Sequence, residues 1–354
     1  MGYSTRWPPL TSLMPTAVVV CVWLLWSSAA AAQSAVAAFP PAIEQYLTAL
    51  VRPTSGERRR LLAGQPLTSL LDGAVSLQVT VLGAIWIDAP VHRYVAAVLD
   101  IEAFERGRSF RVTRRLSSPP HIDDFRDVRL SAADVADLRA CRVGSCQVKL
   151  DENAIGAFQR GVDWASPDHH AAAEALMRRF MLDHASAYLE GGNSRLAVYR
   201  DKAVPRSMAV EFRDLVDDLP DAVFSVPGVR DYLLGYPAVL LPGSSSFLYW
   251  QEATFGLKPT LRLSHVTVRE GPRDVLVVSK MLYAHHYFRS ALELRVLVPD
   301  PVRGGFWLVT VTSSRIDGLT GFTGLFVRPR VRSEGRDGTA TMLINTKRKL
   351  EGRR

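Results

Sequence analysis

Apolar residues recur at helical spacing near the start of the chain, alternate between residues 75 and 87, turn helical again through the middle, and alternate once more after Ser246. Ile43, Tyr46, Leu47 and Leu50 follow Pro40-Pro41 at helical spacing, so a helical stretch is expected over residues 39–71, broken at 53–56. Val75, Leu77, Val79, Val81, Ile85 and Ile87 predict a strand that Asp88-Ala89-Pro90 ends. The segment VHRYVAAVLDIEAF reads as an amphipathic helix with Tyr94, Val95, Val98 and Leu99 inward, and residues 110–116 as a short strand.

The middle is helical in pattern. Ser131 with Asp134 opens a capped helix over 131–140. A short strand at Val148 and Leu150, a helix over 152–159 and a long helix over 167–190, stopped by Gly191-Gly192, follow. A strand over 196–199 and helices over 207–219 and 229–234 complete this part. Strands are then expected over 247–254, 261–269, 275–282, 291–298 and 306–315, with Gly256, Gly271-Pro272, Pro299-Asp300 and Gly304-Gly305 as turns. Because these strands are consecutive, the sheet should be antiparallel. Val327, Val331, Gly335, Gly338 and Met342 predict a long final helix with small residues at the middle of one face.

A strand ending at an Ala-Pro step, the helix VHRYVAAVLDIEAF, a run of antiparallel strands and a terminal helix ending KRKLE together resemble the helix-grip, or START-like, superfamily. The resemblance covers about residues 75–117 and 244–351, with 118–243 as a mainly helical insertion and 33–74 as an N-terminal helical segment. It implies an α+β fold in which an antiparallel sheet wraps around the long C-terminal helix and encloses an apolar cavity. The implied partner is a lipid or another hydrophobic small molecule. The segments YWQEATFGLKPTLRLSHV, MLYAHHYFRSALEL and TSSRIDGLTG also resemble a family of secreted bacterial proteins with no assigned activity.

The N-terminus places this fold in a compartment. Arg6, an apolar run over residues 14–26 and small residues up to Ala32 form a secretory signal pattern, with cleavage expected near Ala32. The run is shorter than the ~20 residues that span a bilayer, which favours a periplasmic or secreted protein over the alternative, a chain anchored at its N-terminus. The formal net charge is +8. Export sets nucleic acid aside as a partner and leaves anionic membrane or polysaccharide surfaces, or a solvated basic face. A basic C-terminal helix docking on an acidic partner is a further reading. Cys141 and Cys146, in CRVGSC, are expected to form a disulfide that pins a local turn.

Candidate chemistry is sparse. Tyr283, His285, His286 and Tyr287 sit at a strand end, where an extended backbone would send His285 and His286 to opposite faces. Lys258 and His265 lie beside them, and Arg315 and Asp317 share a face at the end of the last strand. The candidate ligand-binding set is therefore Lys258, His265, Tyr283, His286, Arg315 and Asp317. An envelope enzyme using the 283–287 region with Arg315 and Asp317 is the alternative, provided those groups converge. His170, Glu174 and His184 share a helix face, but no HExxH is present and no metal is expected. No phosphate-binding loop, nucleophile elbow or dinucleotide fingerprint occurs, so no cofactor is expected.

Overall fold

The computed structural model describes residues 1–3, 39–71, 77–107, 109–254, 258–319 and 321–352. Residues 1–40 form one unit and residues 41–354 another, and the fold below is that of the second. Most of the expected export signal falls on residues 4–38, outside the described residues.

Helices α1 (Pro41–Leu50) and α2 (Ser55–Leu62) come first, the latter held by a reciprocal capping box between Thr54 and Glu57. Helix does not continue to residue 71. Gly64, at φ 80°, and the following Pro66 stop it. Leu67–Leu71 is strand β1, paired antiparallel with β2 (Gln78–Ile87) from Leu67↔Ala84 to Leu71↔Thr80. β2 leads through α3 (Val91–Leu99) and α4 (Ile101–Phe104) to β3 (Phe110–Arg115).

A helical excursion follows, as the pattern predicted. It contains α5 (Ala132–Ala140), α6 (Glu152–Gly161), α7 (His169–Gly191), the two-residue strands β4 (Val198–Tyr199) and β5 (Arg206–Ser207), α8 (Met208–Asp217) and α9 (Val229–Gly235). Val148 and Leu150 form no strand. The intervening Lys149 N–H donates instead to the His285 carbonyl, and Arg200 N–H to that of Leu150, so this segment is tied without a ladder. The sulfurs of Cys141 and Cys146 lie at bonding distance, with Cα atoms 4.5 Å apart, across a turn in which Gly144 takes φ 85°.

Strands β6 (Ser244–Ala253), β7 (Thr260–Glu270), β8 (Val275–Ala284), β9 (Phe288–Pro299) and β10 (Phe306–Ile316) run as an antiparallel meander, and α10 (Gly321–Glu351) ends the fold. The eight-stranded sheet has the order β1-β2-β10-β9-β8-β7-β6-β3, with every pair antiparallel. The protein is thus α+β, with a long C-terminal helix packed on an antiparallel sheet and a mainly helical insertion.

Strand alternation sends successive side chains to opposite faces. Phe247 and Tyr249 join a core with Ile85, Tyr94, Leu308 and Leu343, under α3 and α10. Leu248 and Trp250 join a second core with Phe125, Met177, Met181 and Tyr188 from the excursion. The sheet is therefore covered on both faces.

α10 meets the sheet along a seam one step removed from the expected one. Val331, Thr339, Leu343, Thr346 and Leu350 turn inward to varying degree, while Val327 and Gly338 are exposed. Gly335 does lie in the seam, where a Cβ would sit 3.5 Å from Val81. On the sheet side, a Cβ at Gly83 would come within 2.6 Å of Thr339 Cγ2 and 2.9 Å of Leu343 Cδ1. The absent side chain at Gly83 lets the helix approach β2.

Candidate functional site

Tyr283 ends strand β8 with Ala284, as expected, but residues 285–287 form a turn and are not extended. Tyr287 has φ 61°, a left-handed conformation uncommon for a large side chain, and it reverses the chain between β8 and β9. The reversal brings His285 and His286 together, with ring centroids 3.9 Å apart. The expectation that they face opposite ways fails because the backbone there is not extended.

Both imidazoles meet Asp134, an acid in the first turn of α5. His286 Nε2 lies 2.8 Å from Asp134 Oδ1, and His285 Nε2 lies 3.8 Å from Oδ2. The Ser131 hydroxyl donates to Oδ2 at 2.7 Å as the helix cap. Burial alone would raise the Asp134 carboxyl, but hydrogen bonds from His285, His286 and Ser131 outweigh it and hold the group far below the usual carboxylate range.

Three donors within 4.8 Å of one another have the makings of a metal centre. The hydrogen bonds argue otherwise. Leu261 N–H donates to His285 Nδ1 at 2.8 Å, so that ring's own proton belongs on Nε2, the nitrogen turned to Asp134. His286 faces an acceptor on each side, Gln147 O at 3.2 Å and Asp134 Oδ1 at 2.8 Å. The cluster is a buried, hydrogen-bonded group that ties α5 to the β8–β9 turn.

Of the other expected site residues, Asp317 and Lys258 touch this turn through their backbone, Asp317 N–H donating to the Tyr287 carbonyl at 2.8 Å and Lys258 N–H to the Tyr287 hydroxyl at 3.1 Å, while their side chains turn to other partners. Arg315 reaches Glu211 and Asp214, each at 3.0 Å, and Asp218 at 3.3 Å, all from α8 or its cap. Asp317 bonds Lys149 and, at 2.6 Å, Arg289. These pairs fasten the excursion to the sheet and leave neither side chain directed at a shared ligand. Lys258 pairs with Asp137 at 2.7 Å. Tyr283 is fully buried against Phe180, ring centroids 5.1 Å apart, and His184, at 5.9 Å. His265 lies farther along β7, opposite Lys280. His170 and Glu174 both bond the Leu130 backbone, in keeping with an ordinary helix edge.

The space between α10 and the sheet is occupied by side chains, Leu343 and Leu350 among them. Near it, beside Tyr94, lies a charged group that sequence reading missed. Arg295 bonds Glu293 through two nitrogens at 2.7 and 2.8 Å, and Glu105 lies 3.9 Å from it. Burial raises the Glu105 carboxyl, against the pull of Arg295.

A cleft opens on the other side of the molecule, between α6 and α7, with a volume of about 390 Å³. Phe158, Leu176 and Phe180 give it an apolar lining, while Asp151, Arg179 and Arg195 supply charge. Asp151 Oδ1 caps α6 by accepting from Ala154 N–H at 2.8 Å, and Arg179 pairs with Asp183 at 3.0 Å. His184, also in the lining, bonds the Leu282 carbonyl through Nε2 at 3.0 Å, and burial lowers its pKa. It is therefore a neutral group whose N–H is already committed. Phe158 comes from α6, and Leu176, Phe180 and His184 come from α7, so it is the packing of the two helices that gathers them.

No helix among the described residues is long and apolar enough to cross a membrane. A comparison of the chain with protein-family models and with curated proteins finds no match.

Proposed function

We propose that the protein is an exported carrier of a lipid or other apolar small molecule, and that the ligand occupies the α6–α7 cleft. The observation that carries this reading is the cleft. Its volume of about 390 Å³ is in the range of small-molecule sites, which are concave and mainly apolar with a few polar groups to set orientation. Phe158, Leu176 and Phe180 would take the apolar part, and Arg179, Arg195 and Asp151 would meet the polar end. Export is supported by the signal pattern before Ala32 and by the Cys141–Cys146 pair, which fits an oxidising compartment.

The test is native mass spectrometry of the full chain purified from its export compartment, followed by organic extraction of whatever it carries. An apolar molecule should co-purify, and Ala157→Trp, which fills the cleft from its wall, should lose it while leaving the melting temperature nearly unchanged. A protein that carries no apolar molecule and does not enhance the fluorescence of 1-anilinonaphthalene-8-sulfonate is not such a carrier.

A further inference from the structure

His265 and Lys280 stand directly opposite each other in the β7–β8 ladder, on the face under the excursion, and each is 3% exposed. A buried ammonium normally has a carboxylate beside it. Lys280 has none. Its Nζ donates to Asn193 Oδ1 and lies 4.2 Å from the ring centroid of Phe212 and 5.0 Å from that of Tyr188. Burial pushes the Lys280 amine down to about 7, with no acid opposing the shift.

His265 Nδ1 is 3.0 Å from the Tyr188 hydroxyl. Burial keeps that phenol protonated and so able to donate; we assign it as the donor to Nδ1, which puts the imidazole proton on Nε2. His265 itself is held neutral, its pKa lowered to about 3 by burial and then by Lys280. Its Nε2 is buried and has no hydrogen-bond partner among the described residues. Buried donors without acceptors are rare and call for an explanation.

Both side chains line one cavity of about 10 Å³, room for a single particle of about the size of water. Tyr188 from α7, Tyr232 and Tyr236 from α9 and its cap, and Thr267 from β7 complete its polar lining, and no carboxylate is among them. Tyr232 and Thr267 are bonded to each other at 2.5 Å. The donor capacity left in the lining is that of Lys280, His265 and the Tyr236 hydroxyl.

We propose that this cell binds one small anion of halide size, held by Lys280 Nζ and His265 Nε2. The anion supplies the counter-charge that the strand and its covering helices do not. It also accepts the hydrogen that His265 otherwise leaves unmade. Anion binding and Lys280 protonation reinforce each other by linkage, so affinity rises as pH falls through about 7. The proposal is independent of the α6–α7 cleft.

Two experiments on the full chain decide it. Crystals grown in sodium bromide should give an anomalous peak between Lys280 and His265. Melting temperature should rise saturably with sodium chloride or bromide at pH 6, relative to sodium gluconate of equal ionic strength. The rise should vanish at pH 9, and Lys280→Met should lose it at pH 6. An oxygen-sized peak that bromide does not replace overturns the proposal. So does a melting temperature that follows ionic strength alone in both proteins. If Lys280→Met does not fold, the bromide map of the unaltered chain decides.

Discussion

The carboxylate of Asp134 lies 2.8 Å from Nε2 of His286, joining the first turn of α5 to the turn between β8 and β9. Both side chains are 4% exposed. Removing the acceptor leaves a buried hydrogen-bonding group unsatisfied, at a cost of about 1–3 kcal/mol. Asp134→Asn should therefore lower the urea midpoint markedly, while Asp123→Asn, at an exposed position, should leave it in place.

The same pair has a pH signature. The Asp134 carboxyl is depressed in the folded state, so its stabilisation is fully present above the unfolded value of roughly 3.9 and is lost as pH falls below it. Urea unfolding between pH 6 and 2.5 should show a decline in stability that is shallower in Asp134→Asn. Parallel slopes would remove Asp134 from the account of acid sensitivity.

Lys280 works in the opposite direction. Its folded pKa, about 7, is below that of an unfolded lysine, roughly 10.4. Between these values the unfolded chain binds more protons, so stability rises with pH across that window. In halide-free buffer, the difference in unfolding free energy between the parent and Lys280→Met should shift in the parent's favour from pH 7 to 10. A difference that stays constant would mean that the amine is not desolvated.

At Gly83 of β2, α10 leaves no room for a side chain. A Cβ there meets Thr339 Cγ2 at 2.6 Å, and the Thr310 hydroxyl is 2.8 Å away. Overpacking of this kind costs about 1–3 kcal/mol. Gly83→Val should lower the melting temperature, and hydrogen exchange should rise along α10 before it rises in β7 and β8.

The Cys141–Cys146 bond closes a short loop, worth about 2 kcal/mol in the chain-entropy view. Cys141→Ser with Cys146→Ser should lower stability by that order without loss of the fold. Thiol titration of the denatured, unreduced protein should find neither cysteine free.

Much of the architecture was legible from one residue to the next. The α5 cap at Ser131 and Asp134, the meander from β6 to β10 and the stop of α7 at Gly191-Gly192 all follow from local rules. β1 was not legible, because LTSLL has no period of its own and is a strand only because β2 lies beside it. The candidate site was harder still. His285 and His286 meet because Tyr287 adopts a positive φ that its residue type does not announce. His265 and Lys280 face each other by register, which depends on a bulge between Leu263 and Ser264. A lysine in the otherwise apolar run VLVVSKMLYA was the one visible sign.

The helical excursion leaves the sheet from β3 and returns into β6, and these two strands are neighbours, paired as far as Arg115↔Tyr249. Leu116 N–H still donates to Leu248 O at 2.9 Å where the chain departs. The whole excursion thus hangs from one rung of a ladder, as a cassette does. Lineages could exchange or lengthen it without rethreading a strand. They could not discard it, because Leu248, Trp250 and Leu263 would then face water. The excursion carries the cleft, so such exchange would reshape the cleft while the sheet and α10 stayed the same.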